Sequence, residues 1–458
     1  MFVFIGCCLT KRPPVFKLCH RALYLTAGGN LANHRISNYE NYFNKAAKRT
    51  RAPVLRSLQK YMATDLVYLA GGIPNSDTFP IAAAQLRLKD GQTVHIDEAD
   101  MKVALQYGAT RGKLQLREWL TELQRRLHDP PTLPPPGVSP SANSDMITIT
   151  ANGCTEAFSK ILGMVLEEGD SLLAEESTYP SVFNVTEPLG CKPAIVKNDA
   201  DGLIPSDLSN VLCSWNEAAS GPRPKLLYCV PNGANPTGAN LSLERRKEIY
   251  ALARKYDLLI IEDDPYHMIQ YSRPLLPSLL SMDVDGRVLR CDTVSKIMSA
   301  GARLGYVSGP KQFLDRIVDL KEGVSGGGSA LVETIMLKVF QNMGHDGYIE
   351  HGCRVANFYH QRSQLASRTA EKHLKGLAEW SAPQAGMFLW MKLLGVEDSR
   401  HVCQKLIQKG AVVVQGHIFC PASVNSPYIR VSFSYASEAD LNKTFSWLAE
   451  ILKEQSEQ

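Results

Sequence analysis

The sequence predicts an α/β protein built on a mostly parallel sheet covered on both faces. Three observations predict it. Short apolar, strand-like segments recur at 147–151, 171–174, 225–230, 258–262, 287–291 and 304–308. Helical stretches such as 156–166 and 243–255 separate some of them. Strands buried on both faces read as continuous apolar runs, and helical crossovers supply the cover. The third observation is length: 458 residues exceed one average domain, which predicts a larger and a smaller domain.

Composition narrows the class. Hydrophobic residues at 44% and charged residues at 21% are ordinary for a soluble globular chain. There is no internal repeat and no apolar run long enough to span a bilayer, so no membrane partner is expected. The net charge of +4 is concentrated at the start, where Lys11, Arg12, Lys17, Arg21 and Arg35 precede the first acid, Glu40. Without those five the 50 basic residues fall to 45, against 46 acidic ones, so no basic face for nucleic acid is expected. Eleven cysteines are scattered, with no Cys-x-x-Cys pair. That pattern predicts free thiols in a reducing compartment, with neither a disulfide framework nor a bound metal.

Taken in order, residues 1–37 read as a separate basic extension with apolar residues between the charges, the balance of an organelle-targeting presequence. A mitochondrial address is expected, with a cytoplasmic protein as the alternative. Residues 38–80 read as an N-terminal arm that ends in the paired glycines Gly71 and Gly72, followed by Pro74. A short helical pattern at 101–107 leads to the helix 113–127 and a proline-rich loop at 129–140. The α/β rhythm then fills a large domain, 81–328. The smaller domain, 329–458, is expected to carry helices at 330–343 and 360–374, strands near 387–392, 412–414 and 428–434, and a closing amphipathic helix at 438–453. Phe388 and Trp390 read as core residues there, with Phe388 also a candidate to line the site.

The chemical residues fall mostly at strand ends, where sheets of this kind bind ligands. Gly153-Cys154-Thr155 turns from strand to helix and offers backbone N–H groups and a positive helix end to a phosphate, although such turns are common. Tyr179 follows the next strand and reads either as a ring to stack on a flat cofactor or as an ordinary loop tyrosine. Pro231-Asn-Gly-Ala-Asn-Pro-Thr-Gly238 makes a rigid turn with Asn235 at its tip. Asp263 and Asp264 close another strand before Tyr266. They suit a protonated pyridine nitrogen, a metal or a ribose, but no His or Cys cluster and no G-x-G-x-x-G stands near them. Lys296 sits among Thr293, Ser295 and Ser299, with Arg303 close behind. Alone it reads more readily as a surface lysine. In this company it suits a Schiff-base lysine whose neighbours hold an anionic phosphate.

In this order and spacing, the N-P-T-G, D-D-P-Y and S-K segments resemble the class I/II aminotransferases among the fold-type I pyridoxal-phosphate enzymes. The resemblance runs from about residue 38 to the end. It is greatest to the kynurenine/2-aminoadipate aminotransferases, through L-A-G-G-I-P-N, A-L-Q-Y, V-P-N-G-A-N-P-T-G, I-I-E-D-D-P-Y, S-M-D-V-D-G-R-V, G-M-F-L-W and P-Y-I-R-V-S-F-S. It implies a seven-stranded, mostly parallel sheet and pyridoxal 5'-phosphate as cofactor. It also implies a homodimer with shared active sites, and amino-acid and 2-oxo-acid substrates.

The resemblance also implies roles. Lys296 would hold the cofactor covalently and then carry protons. Asp263 would pair with the pyridine nitrogen, Asn235 and Tyr266 with the ring's O3′, and Tyr179 would stack on the ring. Cys154, Thr155, Thr293, Ser295 and Arg303 would surround the phosphate, with Tyr107 reaching it from the second subunit. Arg430 would clamp the substrate α-carboxylate with a bidentate pair. Gly71 and Arg56 would lie at the substrate's side-chain end.

There are two departures. Cys154-Thr155 stands where relatives often carry Ser-Gln, and a thiol is a poor donor to phosphate. The run G-V-S-G-G-G-S at 323–329 is unusually glycine-rich near what is the active-site mouth in relatives. The expected activity is transfer of an amino group from 2-aminoadipate, kynurenine or a related amino acid to 2-oxoglutarate. The alternatives are a broader aromatic or branched-chain aminotransferase, or a β-lyase on cysteine conjugates. A non-enzymatic pyridoxal-phosphate regulator would add a DNA-binding domain, and the first 80 residues carry no helix-turn-helix pattern. A serine acyl-transfer site would put Thr293 where S-x-x-K needs serine.

Overall fold

A computed structural model gives the fold and describes residues 35–456 except 52–53, 55–57, 59–60, 62–64, 68, 141–144 and 422–423. Most of the expected basic extension, and Arg56, lie outside the described residues.

A hairpin of β1 (Ala84–Arg87) and β2 (Thr93–Ile96) precedes the main body. β3 (Met146–Ala151), β4 (Ser171–Glu175) and β5 (Lys192–Val196) follow, then a minor hairpin of β6 (Asn198–Asp199) and β7 (Gly202–Leu203). β8 (Leu226–Cys229), β9 (Leu259–Asp263), β10 (Val288–Thr293) and β11 (Gly305–Pro310) complete the body. The central sheet has seven strands in the order β3-β11-β10-β9-β8-β4-β5. All neighbours run parallel except β11, which is antiparallel to both β3 and β10.

β5 is the strand that the apolar pattern does not announce. It lies at the edge of the sheet, carries Pro193 and exposes Lys192 and Pro193. An edge tolerates a residue with no N–H and a half-wet face.

Alternation sorts the strands onto two cores. Leu226, Tyr228, Leu259 and Ile261 pack on one face of the sheet with the helix Cys154–Val165. Leu227, Cys229 and Ile260 pack on the other with Leu208, Leu212 and Ile249. Both faces are apolar because helices cover both. The long helix Ala330–Leu374 joins the two helices expected at 330–343 and 360–374, with one non-helical residue inside it, Gly344 (φ 65°, ψ 170°). No helix among the described residues is long and apolar enough to cross a membrane.

The C-terminal sheet is antiparallel. It contains β12 (Ala378–Trp380), β13 (Phe388–Leu393), β14 (Val414–Gln415) and β15 (Tyr428–Ser432), in the order β12-β13-β15-β14. Leu389, Met391, Ile429 and Val431 form one face, buried with Phe445 and Leu448 of the helix Glu438–Ser456. The opposite face, carrying Phe388, Trp390, Tyr428 and Arg430, is turned to the central sheet. Strand periodicity thereby presents Arg430 to the site below.

The glycine-rich run has a packing reason. Gly327 (φ 120°) lies so close to Thr110 that a Cβ would stand 3.1 Å from its Cα. Thr110 also donates its hydroxyl to the Gly326 carbonyl at 3.2 Å. The run ends at Ser329, whose side chain caps the long helix.

Candidate active site

The ends of β8, β9 and β10, the turn after β3 and the inner face of the C-terminal sheet enclose a cavity of about 390 Å³. Lys296 projects into it from the segment that links β10 to β11. That segment is tied at both ends. Val294 N–H donates to the Leu304 carbonyl at 3.1 Å. His351 of the long helix lies 2.7 Å from the Ile297 carbonyl through Nε2, which must be the donor because a carbonyl only accepts. The Lys296 ammonium stands 6.0 Å from the Tyr266 ring centroid.

Thr155, Thr293, Ser295 and Arg303, the residues expected to surround a phosphate, all line the cavity. Thr293 Oγ1 donates to the Leu304 carbonyl at 3.0 Å and accepts from Ser295 N–H at 3.2 Å. Arg303 takes a left-handed backbone (φ 47°) and donates to the Asn152 carbonyl at 2.9 Å. Gly153, at φ 92°, is the N-cap of the helix Cys154–Val165. A Cβ there would stand 2.6 Å from Arg303 Nη2, so only glycine lets the guanidinium and the turn approach.

Periodicity separates the two aspartates. Glu262 and Asp264 point to one face of β9 and meet the fully buried Arg290 at 3.2 and 3.0 Å. Asp263 points to the other face and into the cavity. Burial alone raises the Asp264 carboxyl, but Arg290 and His267 outweigh it and hold the group well below the usual carboxylate range. Asp263 has no such partner. Burial pushes its carboxyl up to about 6, against the Tyr228 hydrogen bond, the nearby Cys154 thiol and the Lys296 charge. Its Oδ2 accepts from the Tyr228 hydroxyl at 2.6 Å, while buried Oδ1 has no hydrogen-bond partner among the described residues.

Asn235 and Arg430 meet across 195 residues: Arg430 Nη1 donates to Asn235 Oδ1 at 2.7 Å. The guanidinium lies 4.2 Å from the Phe388 ring centroid and 4.9 Å from that of Phe419. Its buried Nε has no hydrogen-bond partner among the described residues. Burial lowers its pKa, as expected for a cation with no carboxylate beside it. Tyr266 is buried edge-on to Phe388 at 6.2 Å. Burial and Asp263 raise its hydroxyl pKa well above the usual range. Tyr179 lines the cavity and meets Phe158 edge-on.

Of the residues named from sequence, Cys154, Thr155, Tyr179, Asn235, Asp263, Tyr266, Thr293, Ser295, Lys296, Arg303 and Arg430 come together in this one cavity. Cys154 has a buried side chain, and its thiol faces Asp263 at the inner wall. Tyr107 is 77% exposed and Gly71 is exposed; neither lines the cavity in the single chain. Arg56 is outside the described residues.

Sequence reasoning missed Tyr228, Phe419 and His351; it read Phe388 as a core residue and also as a candidate lining of the site, and Phe388 does line the cavity. Tyr228 had a signal: a tyrosine inside an otherwise apolar buried strand must find a partner for its hydroxyl.

Comparison with known proteins agrees. The family description Aminotransferase class I and II matches residues 64–446. The chain is 39% identical over 412 residues to the kynurenine/alpha-aminoadipate aminotransferase, mitochondrial, of Mus musculus, covering 89% of this chain and 95% of that one. The Bos taurus protein of the same name is 37% identical over 426 residues, covering 91% and 99%. Among solved structures, aminotransferase Aro8 from Candida albicans is similar with a TM-score of 0.81 at 26% identity, covering 93% of this chain and all of that one. A sheet of this topology, a cavity around Lys296, and relatives that match along nearly their whole length lead to one conclusion: the chain is an aminotransferase and belongs to the class I and II family.

Proposed function

We propose that this aminotransferase holds pyridoxal 5'-phosphate on Lys296 and moves the amino group of 2-aminoadipate, kynurenine or a related amino acid to 2-oxoglutarate. The observation that carries the reading is the buried Asp263 Oδ1, an acceptor without a partner among the described residues, in the same cavity as Lys296 and as Arg430, which meets no carboxylate among them. A buried carboxylate of this kind asks for a cationic N–H, which a protonated pyridine provides. Pyridoxal phosphate also brings an anion, and Arg303 with the hydroxyls of Thr293, Ser295 and Thr155 suits it.

When bound, the cofactor supplies an aldehyde that condenses with amines and a ring that draws electrons from the substrate's Cα. The chain's own groups do the rest. Lys296 Nζ is placed to take the substrate's Cα proton and to return one. Asn235 accepts from Arg430 through Oδ1, which leaves its amide N–H as a donor that would hold the cofactor's ring oxygen. Tyr266 would add a second donor there, and Tyr179 would pack against the ring. Arg430 takes the α-carboxylate with two parallel N–H groups and so sets the direction of the Cα–H bond. The donor leaves as its 2-oxo acid and 2-oxoglutarate leaves as glutamate, so the two electrons lost by one Cα are gained by the other.

The choice of donor rests on the names of the mouse and bovine relatives. Their names also support a mitochondrial address for this chain. A homodimer is part of the reading. Tyr107, Val67 and Leu69 are 77%, 86% and 90% exposed, an apolar set that a second copy would cover, bringing Tyr107 to the partner's phosphate end. Gly71 and Arg56 belong to the same arm and would border the substrate's side chain.

The test is a donor screen with pyridoxal 5'-phosphate and 2-oxoglutarate, measuring glutamate and the oxo-acid product. Glutamate should form fastest with 2-aminoadipate or kynurenine. A preference for aromatic or branched-chain donors, or release of pyruvate and a thiol from a cysteine conjugate, would select the alternatives. No glutamate with any donor would sink the reading. Borohydride should fix the cofactor to the Lys296 peptide.

A further inference from the structure

We propose that Tyr228 is a positioning residue for the cofactor: its hydroxyl pins Asp263 Oδ2, leaving Oδ1 as the free acceptor for the pyridine nitrogen. The inference rests on the pyridoxal 5'-phosphate reading above. β8 and β9 run parallel with Tyr228 opposite Ile261, so Tyr228 and Asp263 project from the same face of adjacent strands. The hydroxyl-to-carboxylate distance is 2.6 Å, and Tyr228 is wholly buried. Its ring meets Phe158 edge-on at 5.7 Å, and Phe158 meets Tyr179 edge-on at 6.3 Å. Close packing leaves the hydroxyl little freedom to swing elsewhere.

A carboxylate with two free oxygens can rotate between two ways of meeting a ring nitrogen. With Oδ2 held, one geometry remains, and the carboxylate is oriented before the cofactor arrives. The donor also affects protonation. The other groups facing Asp263 are Cys154 from the helix after β3, Cys291 on β10, Asp264 and Tyr266 beyond β9, and Lys296. Burial pushes Asp263 toward its neutral form, and the Tyr228 hydrogen bond is the largest effect opposing it. A neutral carboxyl would offer the ring no charge. Two or three hydrogen bonds lower a carboxylate by about two pKa units, so one donor accounts for about one.

The test titrates cofactor-free wild-type protein and Tyr228→Phe with pyridoxal 5'-phosphate from about pH 5 to 8, a range that brackets the value of about 6 to which burial pushes this carboxyl. Visible absorbance of the bound cofactor reports binding. In Tyr228→Phe the acid limb of cofactor affinity should lie about one pH unit above that of the wild type. In the loaded enzyme kcat should fall while KM for the amino donor stays within about twofold. Replacing Tyr228 with 3-fluorotyrosine keeps its shape and strengthens the donor, so the limb should move down; this protein decides the matter if Tyr228→Phe does not fold. An acid limb that coincides with that of the wild type, in either protein, overturns the inference. Wild-type protein that takes up no cofactor overturns the cofactor reading instead, which separates the two failures.

Discussion

Replacing Arg430 probes the carboxylate clamp where the structure is most specific. The guanidinium is packed between Phe388 and Phe419, at 4.2 and 4.9 Å from their centroids, and is steered by Asn235 at 2.7 Å. Its Nε has no partner, so the fork retains donors for a carboxylate. Arg430→Ala would leave the substrate carboxylate in a partly desolvated site with no cation. It would also strip Asn235 Oδ1 of its donor. Truncating one member of such a charge pair typically costs about 2–5 kcal/mol. That corresponds to a loss in kcat/KM of about thirtyfold to several thousandfold. Arg430→Lys keeps the charge but loses the planar fork and its stacking between the two rings, so KM should rise and kcat should also fall as orientation suffers. The assay is steady-state kinetics with donor and acceptor varied in turn, because both bring an α-carboxylate to the same arginine. Bound-cofactor absorbance should persist in both variants. A kcat/KM for Arg430→Ala within about threefold of wild type, for both substrates, would refute the placement of the clamp.

Three further outcomes are expected. Asp263→Asn should still take up cofactor but lose turnover on the order of 10²–10³-fold, as when a preorganised electrostatic partner is removed; Asp264→Asn should instead lower thermal stability, since Asp264 pairs with buried Arg290 and accepts from Asn232. Glu175 is buried with Oε1 unpartnered, and burial lifts its carboxyl to about 7. Its folded pKa exceeds the unfolded one, so its contribution to stability is complete below about pH 4.5 and is lost as pH rises through about 7. Glu175→Gln should therefore be more stable than wild type above pH 8, by about 1–3 kcal/mol, and should flatten the denaturation midpoint between those limits. Gly153→Ala should cost about 1–2 kcal/mol for its left-handed backbone. It should also weaken cofactor binding by displacing Arg303, measured by cofactor titration beside a thermal scan.

The sequence alone determined the elements whose signals are local. Apolar runs of strand length, helical periodicity and the turn chemistry around Asn235 announced six of the seven central strands and some of the helices between them. The order of short motifs led to Lys296 and its hydroxyl neighbours, because Thr293 and Ser295 sit within one turn of it and need no distant contact to be found. β5 escaped because an edge strand carries neither a continuous apolar run nor clean alternation. Tertiary structure alone decided the rest. Which of two adjacent aspartates enters the cavity depends on which face of β9 is turned to Tyr228 and which to Arg290. Neighbouring side chains on a strand point opposite ways, so a one-residue change of register would exchange them. Arg430 reaches Asn235 only because β15 pairs with β13 and its inner face is laid against the central sheet. Tyr228 acquires a partner only through the alignment of β8 with β9. Such contacts are set by how burial stacks whole sheets and strands, a property of the assembled core that no short window of sequence carries.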